Sequence, residues 1–201
     1  LFFAMGEGIP TSTDARTIWK RRAILMALVG LVVAIPVTLL VRSGDDDSEG
    51  PSSIGEPVLQ AAKRDSAVGI IYRVPKGWKA EKKASVIRLE SRDHAAGLTL
   101  SAPGPASDAD QILRETVDVV RKSYDDVREG ARQGETRLSG RPAKAVALTA
   151  KNEKGTPLRI LISVARGKEK AYLIQYFMAG GARDEAFAAA QAALQALKLL
   201  N

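Results

Sequence analysis

The chain is expected to fold as an α+β protein: a central antiparallel sheet with helices on its two faces, carried behind one N-terminal transmembrane helix. Three observations predict this. Nineteen consecutive residues, Ala23 to Val41, hold no charge and only Thr38 as a polar residue. Beyond them, seven β-branched or alternating segments follow one another through short turns, which favours antiparallel neighbours. Two other segments repeat apolar residues at helical spacing on one side only, so each must cover a face of a sheet.

At about 1.5 Å per residue, the apolar run of residues 23–41 is roughly 28 Å long, close to the hydrocarbon thickness of a bilayer. Pro36 would cost a soluble helix interior about 3 kcal/mol but is tolerated in a spanning helix. Lys20, Arg21 and Arg22 precede the run, and Asp45, Asp46 and Asp47 follow it. Positive-inside bias makes these three cations the topology determinants: residues 1–22 form a cytoplasmic tail and the C-terminal domain lies outside. The expected location is the plasma membrane, with a single-pass signal-anchor. The alternatives are a buried core helix, which is rarely apolar on every face over nineteen residues, and a cleaved signal peptide, for which the run exceeds the usual apolar core of about 7 to 15 residues and no A-x-A site follows. Both membrane readings export the same domain. The first methionine is Met5, and translation is expected to start there or at a non-standard codon for Leu1.

After Arg42, residues 43–57 are Gly, Ser, Pro and acids with a single isoleucine, and residues 42–57 read as a disordered acidic linker. Three consecutive aspartates lack the alternating ligands of a calcium loop. Residues 58–201, 144 in number, are enough for a self-sufficient core.

Within that domain, Ala67 to Val74 is β-branched and stops at Pro75, the mark of a strand that loses a donor. Ser85 to Ser91 and Ala96 to Ala102 alternate at period two, with "RDHA" as the turn between them. Ser107, with Asp110 three residues on, offers a capping-box-like start to a helix ending near Ser123. Its buried face is Ile112, Leu113, Thr116, Val117 and Val120. "DVREGARQGETRLS" reads as one long, twisted or bulged strand. "AKAVALTA", "LRILISVA" and "AYLIQYFMA" come next as hairpin-linked strands. Gly180-Gly181 break the last of them, Asp184 and Glu185 suit the first turn of a closing helix, and Phe187, Ala190, Leu194 and Leu197 make its buried stripe. The expected order is βββα-ββββα.

The opening "YRVPKGW", "LSGRPAKAV" at Leu138 to Val146, and "KAYLIQYFMA" before a terminal amphipathic helix resemble the PsbP-like and DcrB-like superfamily, including its LpqN-type exported members. The resemblance spans about residues 66 to 200. It implies an α/β/α sandwich, usually exported and usually non-catalytic, whose relatives act as docking or assembly factors. It carries over no residue role, because the matching motifs read as fold determinants. The chain departs from the photosynthetic members in having an anchor and no thylakoid targeting pattern.

The chemistry available is limited. Without cysteine there are no disulfides, thiolate nucleophiles or thiolate metal sites. His94 is the sole histidine, so multi-histidine metal sites are excluded within one chain, and "SRDHAAG" reads as a solvated turn. Nucleotide-binding glycine motifs are missing, and no catalytic residue, metal ligand or cofactor is assigned. Charge is the remaining lead: from Val58 onward 25 Lys and Arg face 16 acids, a net charge of +9. Such a surface could meet anionic lipid, an anionic wall polymer or an acidic envelope protein. No recognition helix or basic stripe points to nucleic acid. Lys76, Lys79, Lys82 and Lys83 around Trp78 form the densest basic and aromatic loop and the candidate docking surface. The alternative is that the lysines keep the loop soluble while Trp78 packs under the sheet. The expected function is a membrane-anchored, non-catalytic binding or assembly module of the cell envelope. An envelope hydrolase or transferase with a serine and carboxylate site, and a self-associating spacer, stand as alternatives.

Overall fold

The computed structural model describes residues 56–130 and 133–200. The tail, the apolar run, Lys20, Arg21, Arg22 and most of the linker lie outside them. Among the described residues, no helix is long and apolar enough to cross a membrane.

Among the described residues, eleven strands and two α-helices follow in chain order: β1 (Lys63–Asp65), β2 (Ile70–Tyr72), β3 (Lys79–Lys83), β4 (Val86–Glu90), β5 (Ala96–Pro105), α1 (Ala109–Ser123), β6 (Asp125–Glu129), β7 (Gln133–Leu138), β8 (Arg141–Lys151), β9 (Pro157–Arg166), β10 (Lys170–Ala179), α2 (Asp184–Gln195) and β11 (Lys198–Leu199). The main sheet runs β3-β4-β5-β10-β9-β8-β6, and β7 also pairs with β8. Every pairing is antiparallel. The central strands β9 and β10 are mostly apolar and mostly buried because helices or small elements cover both faces.

On one face, Ile112, Val117 and Val120 of α1 meet Val146, Leu148, Ile160, Ile162, Leu173 and Phe177. On the other, Ala190, Ala193 and Leu197 share a core with Ile87, Leu89, Leu98 and Ile174 and with Ile70, Tyr72 and Val74. A side chain as enclosed as Ile162, with no exposure, contributes roughly 1.5–3 kcal/mol relative to leaving it in water. The two layers complete the α/β/α sandwich expected from sequence.

The structure revises several element readings. The β-branched run before Pro75 does not open the main sheet: only Ile70–Tyr72 is strand, and it pairs with β1 and β11 in a separate three-stranded sheet. β-branching signals a strand but not which sheet receives it. The lysine-rich segment after Trp78 is not loop but the edge strand β3, exposed at all five residues; with water on both faces, it shows no alternation. The long strand after α1 is interrupted, its halves β6 and β7 both lying along β8 with register shifts in each. The capping box does not form: Ser107 sits in a 3₁₀ turn with its hydroxyl donating to Asp108 Oδ1 at 2.9 Å, and Asp108 at the N-cap makes no side-chain cap bond. Phe187 is 39% exposed, and Ala193 takes its place in the buried stripe beside Ala190 and Leu197.

Candidate functional site

The "PKGW" corner is a hydrogen-bonded turn, Trp78 N–H donating to Pro75 O at 3.1 Å, with Gly77 at φ +84° in the third position where a type II turn requires a left-handed residue. The first described residues are stitched beside it: Lys76 N–H donates to Val58 O at 2.8 Å, and Gln60 N–H to Val74 O at 2.9 Å. The turn swings Trp78 back until it is half-buried against the α2-side core. Its remaining surface faces a cleft of about 720 Å³, bounded also by the β4–β5 hairpin at Ser91 to Asp93 and by the start of α2 at Arg183 to Ala189.

The walls of this cleft divide by chemistry. Pro57, Val58, Pro75, Trp78, Ala186 and Ala189 provide apolar surface, and Val58 is 63% exposed. Lys76, Arg92 and Arg183 bring three cations against Asp93 and Glu185. Asp93 is tied into the hairpin turn, accepting from the Ser91 hydroxyl at 2.6 Å and from Ala95 N–H at 3.2 Å. Partial burial pushes its carboxyl up, but those hydrogen bonds and the Arg183 charge outweigh it and hold the group below the usual carboxylate range. An apolar floor with a mostly cationic rim suits a ligand that combines apolar and anionic groups.

Of the five residues singled out from sequence, the structure brings Lys76 and Trp78 to this cleft. Lys79, Lys82 and Lys83 lie along β3 instead, and Lys82 Nζ pairs with Asp65 at 2.5 Å. Arg92, Arg183 and Glu185 were missed, because the hairpin and the start of α2 meet the corner only in the folded chain. The one sequence signal for them was position: each flanks a turn or a helix start.

His94 occupies the hairpin turn at φ 58°, but it is partnered as well as partly exposed. Its Nδ1 lies 2.7 Å from Glu90 Oε1, the oxygen that also accepts from Arg88 Nη2 at 2.8 Å. The Ser91 hydroxyl donates to Asp93 and accepts from Ala96 N–H at 3.0 Å. Among the described residues, no group of three or more His, Asp or Glu gathers in a way that could hold a metal ion.

No family model matches the chain, and no curated protein matches it. Solved structures do. The solution structure of cyanobacterial PsbP (CyanoP) from Synechocystis sp. PCC 6803 superposes with a TM-score of 0.52 at 13% identity, covering 75% of this chain and 98% of that one. The fold is PsbP-like. Looser matches are LpqN of Mycobacterium tuberculosis, described as involved in cell envelope biogenesis (TM-score 0.41, 14% identity, 66% and 83% covered), and a Bacteroides thetaiotaomicron protein (TM-score 0.46, 12% identity, 67% covered). This chain spans 46% of the length of the Bacteroides protein. In the PsbP-like frame, the cleft lies where β2 leaves the small sheet and turns toward the edge of the large one.

Proposed function

We propose that the chain is a membrane-tethered, extracytoplasmic binding or assembly module of the cell envelope, with the Trp78 cleft as its binding site and no catalytic step. The observation that supports this is the cleft itself, a half-buried tryptophan and exposed valine rimmed by Lys76, Arg92 and Arg183. Its position adds a second support. The described fold begins at Glu56, beside the cleft, and residues 42–55 separate it from the apolar run. Fourteen residues reach at most about 50 Å even when fully extended, so a membrane-anchored domain would keep the cleft within that distance of the bilayer.

The test is site-specific photo-crosslinking of the full chain in its native membrane. A benzophenone residue in place of Val58 is expected to give a discrete, reproducible adduct with an envelope component, while the same residue at exposed Lys154 gives none. Identical adduct patterns from the two positions would sink the reading.

A further inference from the structure

We infer that β3 is the docking strand for an acidic, extended segment of a partner protein, which joins the sheet antiparallel to β3 and lays its trailing apolar residues in the Trp78 cleft. This rests on the cleft reading above and names the partner's chemistry.

The strand β3 pairs with β4 on one side, and among the described residues nothing pairs with its other side. All five of its residues are exposed. Its outer side therefore offers a row of backbone donors and acceptors repeating about every 6.7 Å, directional groups that another extended backbone satisfies and a lipid headgroup does not.

The side chains decide which backbone is admitted. Lys79, Lys82 and Lys83 outnumber Glu81, so a second copy of this edge would be repelled while an acidic strand would be drawn in. Strand alternation adds a pattern. Lys79, Glu81 and Lys83 share one face, opposite Glu90, Arg88 and Val86 of β4, and Ala80 and Lys82 share the other. A segment complementary to this edge carries acids opposite Lys79 and Lys83, an uncharged residue opposite Glu81 and a bulky β-branched residue over small Ala80. Lys82 is already held by Asp65 and makes little demand. Antiparallel to β3, the segment passes Lys79 and runs on toward Trp78, the residue immediately before it. There the apolar floor of the cleft receives the segment's C-terminal residues.

The probe is the blocked, fluorescein-labelled peptide Glu-Thr-Thr-Ile-Glu-Val-Leu, titrated into the full chain in detergent micelles. The protein carries Trp19→Phe, so that Trp78 is the single tryptophan. Binding is read by anisotropy, β3 pairing by hydrogen exchange across residues 79–83, and cleft occupancy by Trp78 fluorescence. Exchange in β3 is expected to slow, and two control peptides, one N-methylated at alternate amides and one with both glutamates replaced by lysine, are expected to bind about tenfold more weakly or worse. The double variant Lys79→Glu, Lys83→Glu alters only exposed side chains, should melt like the parent, and should invert the preference between the acidic and lysine peptides. Equal binding of the N-methylated peptide, or unchanged exchange in β3, overturns the docking strand. Equal slowing of β3 by phosphatidylglycerol vesicles overturns it in favour of a lipid surface. If β3 slows while Trp78 stays silent, the docking strand stands and the cleft reading falls. If Trp78 responds while β3 does not slow, the cleft reading stands and the docking strand falls.

Discussion

Replacing Gln175 by methionine is expected to make the domain more stable. Gln175 lies in the middle of β10, opposite Thr99 of β5 and Ile162 of β9, on the α1 side of the sheet, and it has no exposed surface. Neither its Nε2 nor its Oε1 has a hydrogen-bond partner among the described residues, and the nearby Ser101 hydroxyl is in the same position. Mutational data place the cost of burying such a group without a partner at about 1–3 kcal/mol. Methionine keeps the length and volume, so the repacking cost should stay below about 1.5 kcal/mol. The net expectation is a gain of about 1–2 kcal/mol, or about 3–8 °C in Tm for a domain of this size. Gln175→Ala is the counterpart: it removes the amide but leaves a hole among Leu173, Phe177 and Ile162, and should destabilise. The assay is thermal and urea unfolding of the full chain in detergent, followed by Trp78 fluorescence in the Trp19→Phe background. A clear loss of stability in the methionine variant would refute the reasoning, because it would mean that the amide is satisfied.

Other outcomes derive from local geometry. Gly77→Ala should cost about 1–2 kcal/mol, since a Cβ there meets nothing within 4 Å and the whole penalty comes from the left-handed φ of +84°; Gly69→Ala should cost more, because its Cβ would also press on Tyr172 Oη at 3.0 Å. Denaturant titration of both variants checks the order. Trp78→Ala should lower stability by about 2–3 kcal/mol, short of the roughly 3–5 kcal/mol of a fully enclosed aromatic, because the side chain is only half-buried and lines the cleft; a loss at the upper end would show that the ring is buried. Asp65 accepts from Lys82 and from Val68 N–H at 3.0 Å, and these hydrogen bonds hold its carboxyl below the usual range against the opposing effect of burial. Its contribution is therefore present above the unfolded value of about 3.9 and is lost as the pH falls through the lower folded value. The stability gap between the parent and Asp65→Asn, measured from pH 6 to pH 2, should narrow toward the acid end.

How much of this was legible in the sequence depended on whether a residue's environment repeats along the chain. The strands β4, β5 and β8 and both helices were legible because their apolar residues recur with a period, as in "VIRLE" and in the Ile112-Thr116-Val120 stripe, and β9 and β10 because cover on both faces leaves them as mostly apolar runs between turns. β3 was not, because exposure on both sides leaves Lys79 to Lys83 without a pattern. The short strands β1 and β11 were invisible for another reason: each owes its conformation to β2, and a two- or three-residue strand is too short to alternate. The corner at Pro75 to Trp78 was readable because proline and glycine constrain the backbone locally. Its partners Arg92 and Arg183 were not, since hairpin and helix converge through tertiary packing alone. Phe187 shows the reverse error: helical spacing placed it with Ala190, but the ring rests beside Tyr176, with centroids 6.4 Å apart and much of it in water.

The small sheet has a kinetic consequence. Ile71 pairs with Lys198, Leu200 N–H donates to Gly69 O at 2.8 Å, and Tyr172 Oη donates to Leu200 O at 2.5 Å. The strand that precedes Trp78 thus gains its second neighbour from the far end of the domain. Closing so long a loop comes late in folding and slows it. A chain emerging N-terminus first would assemble the β3-β4-β5 meander early, while β2 stayed half-paired until β11 arrived. The corner that shapes the cleft would then reach its final stiffness last, so trimming the β11 segment should loosen a site far upstream in sequence without touching any residue that lines it.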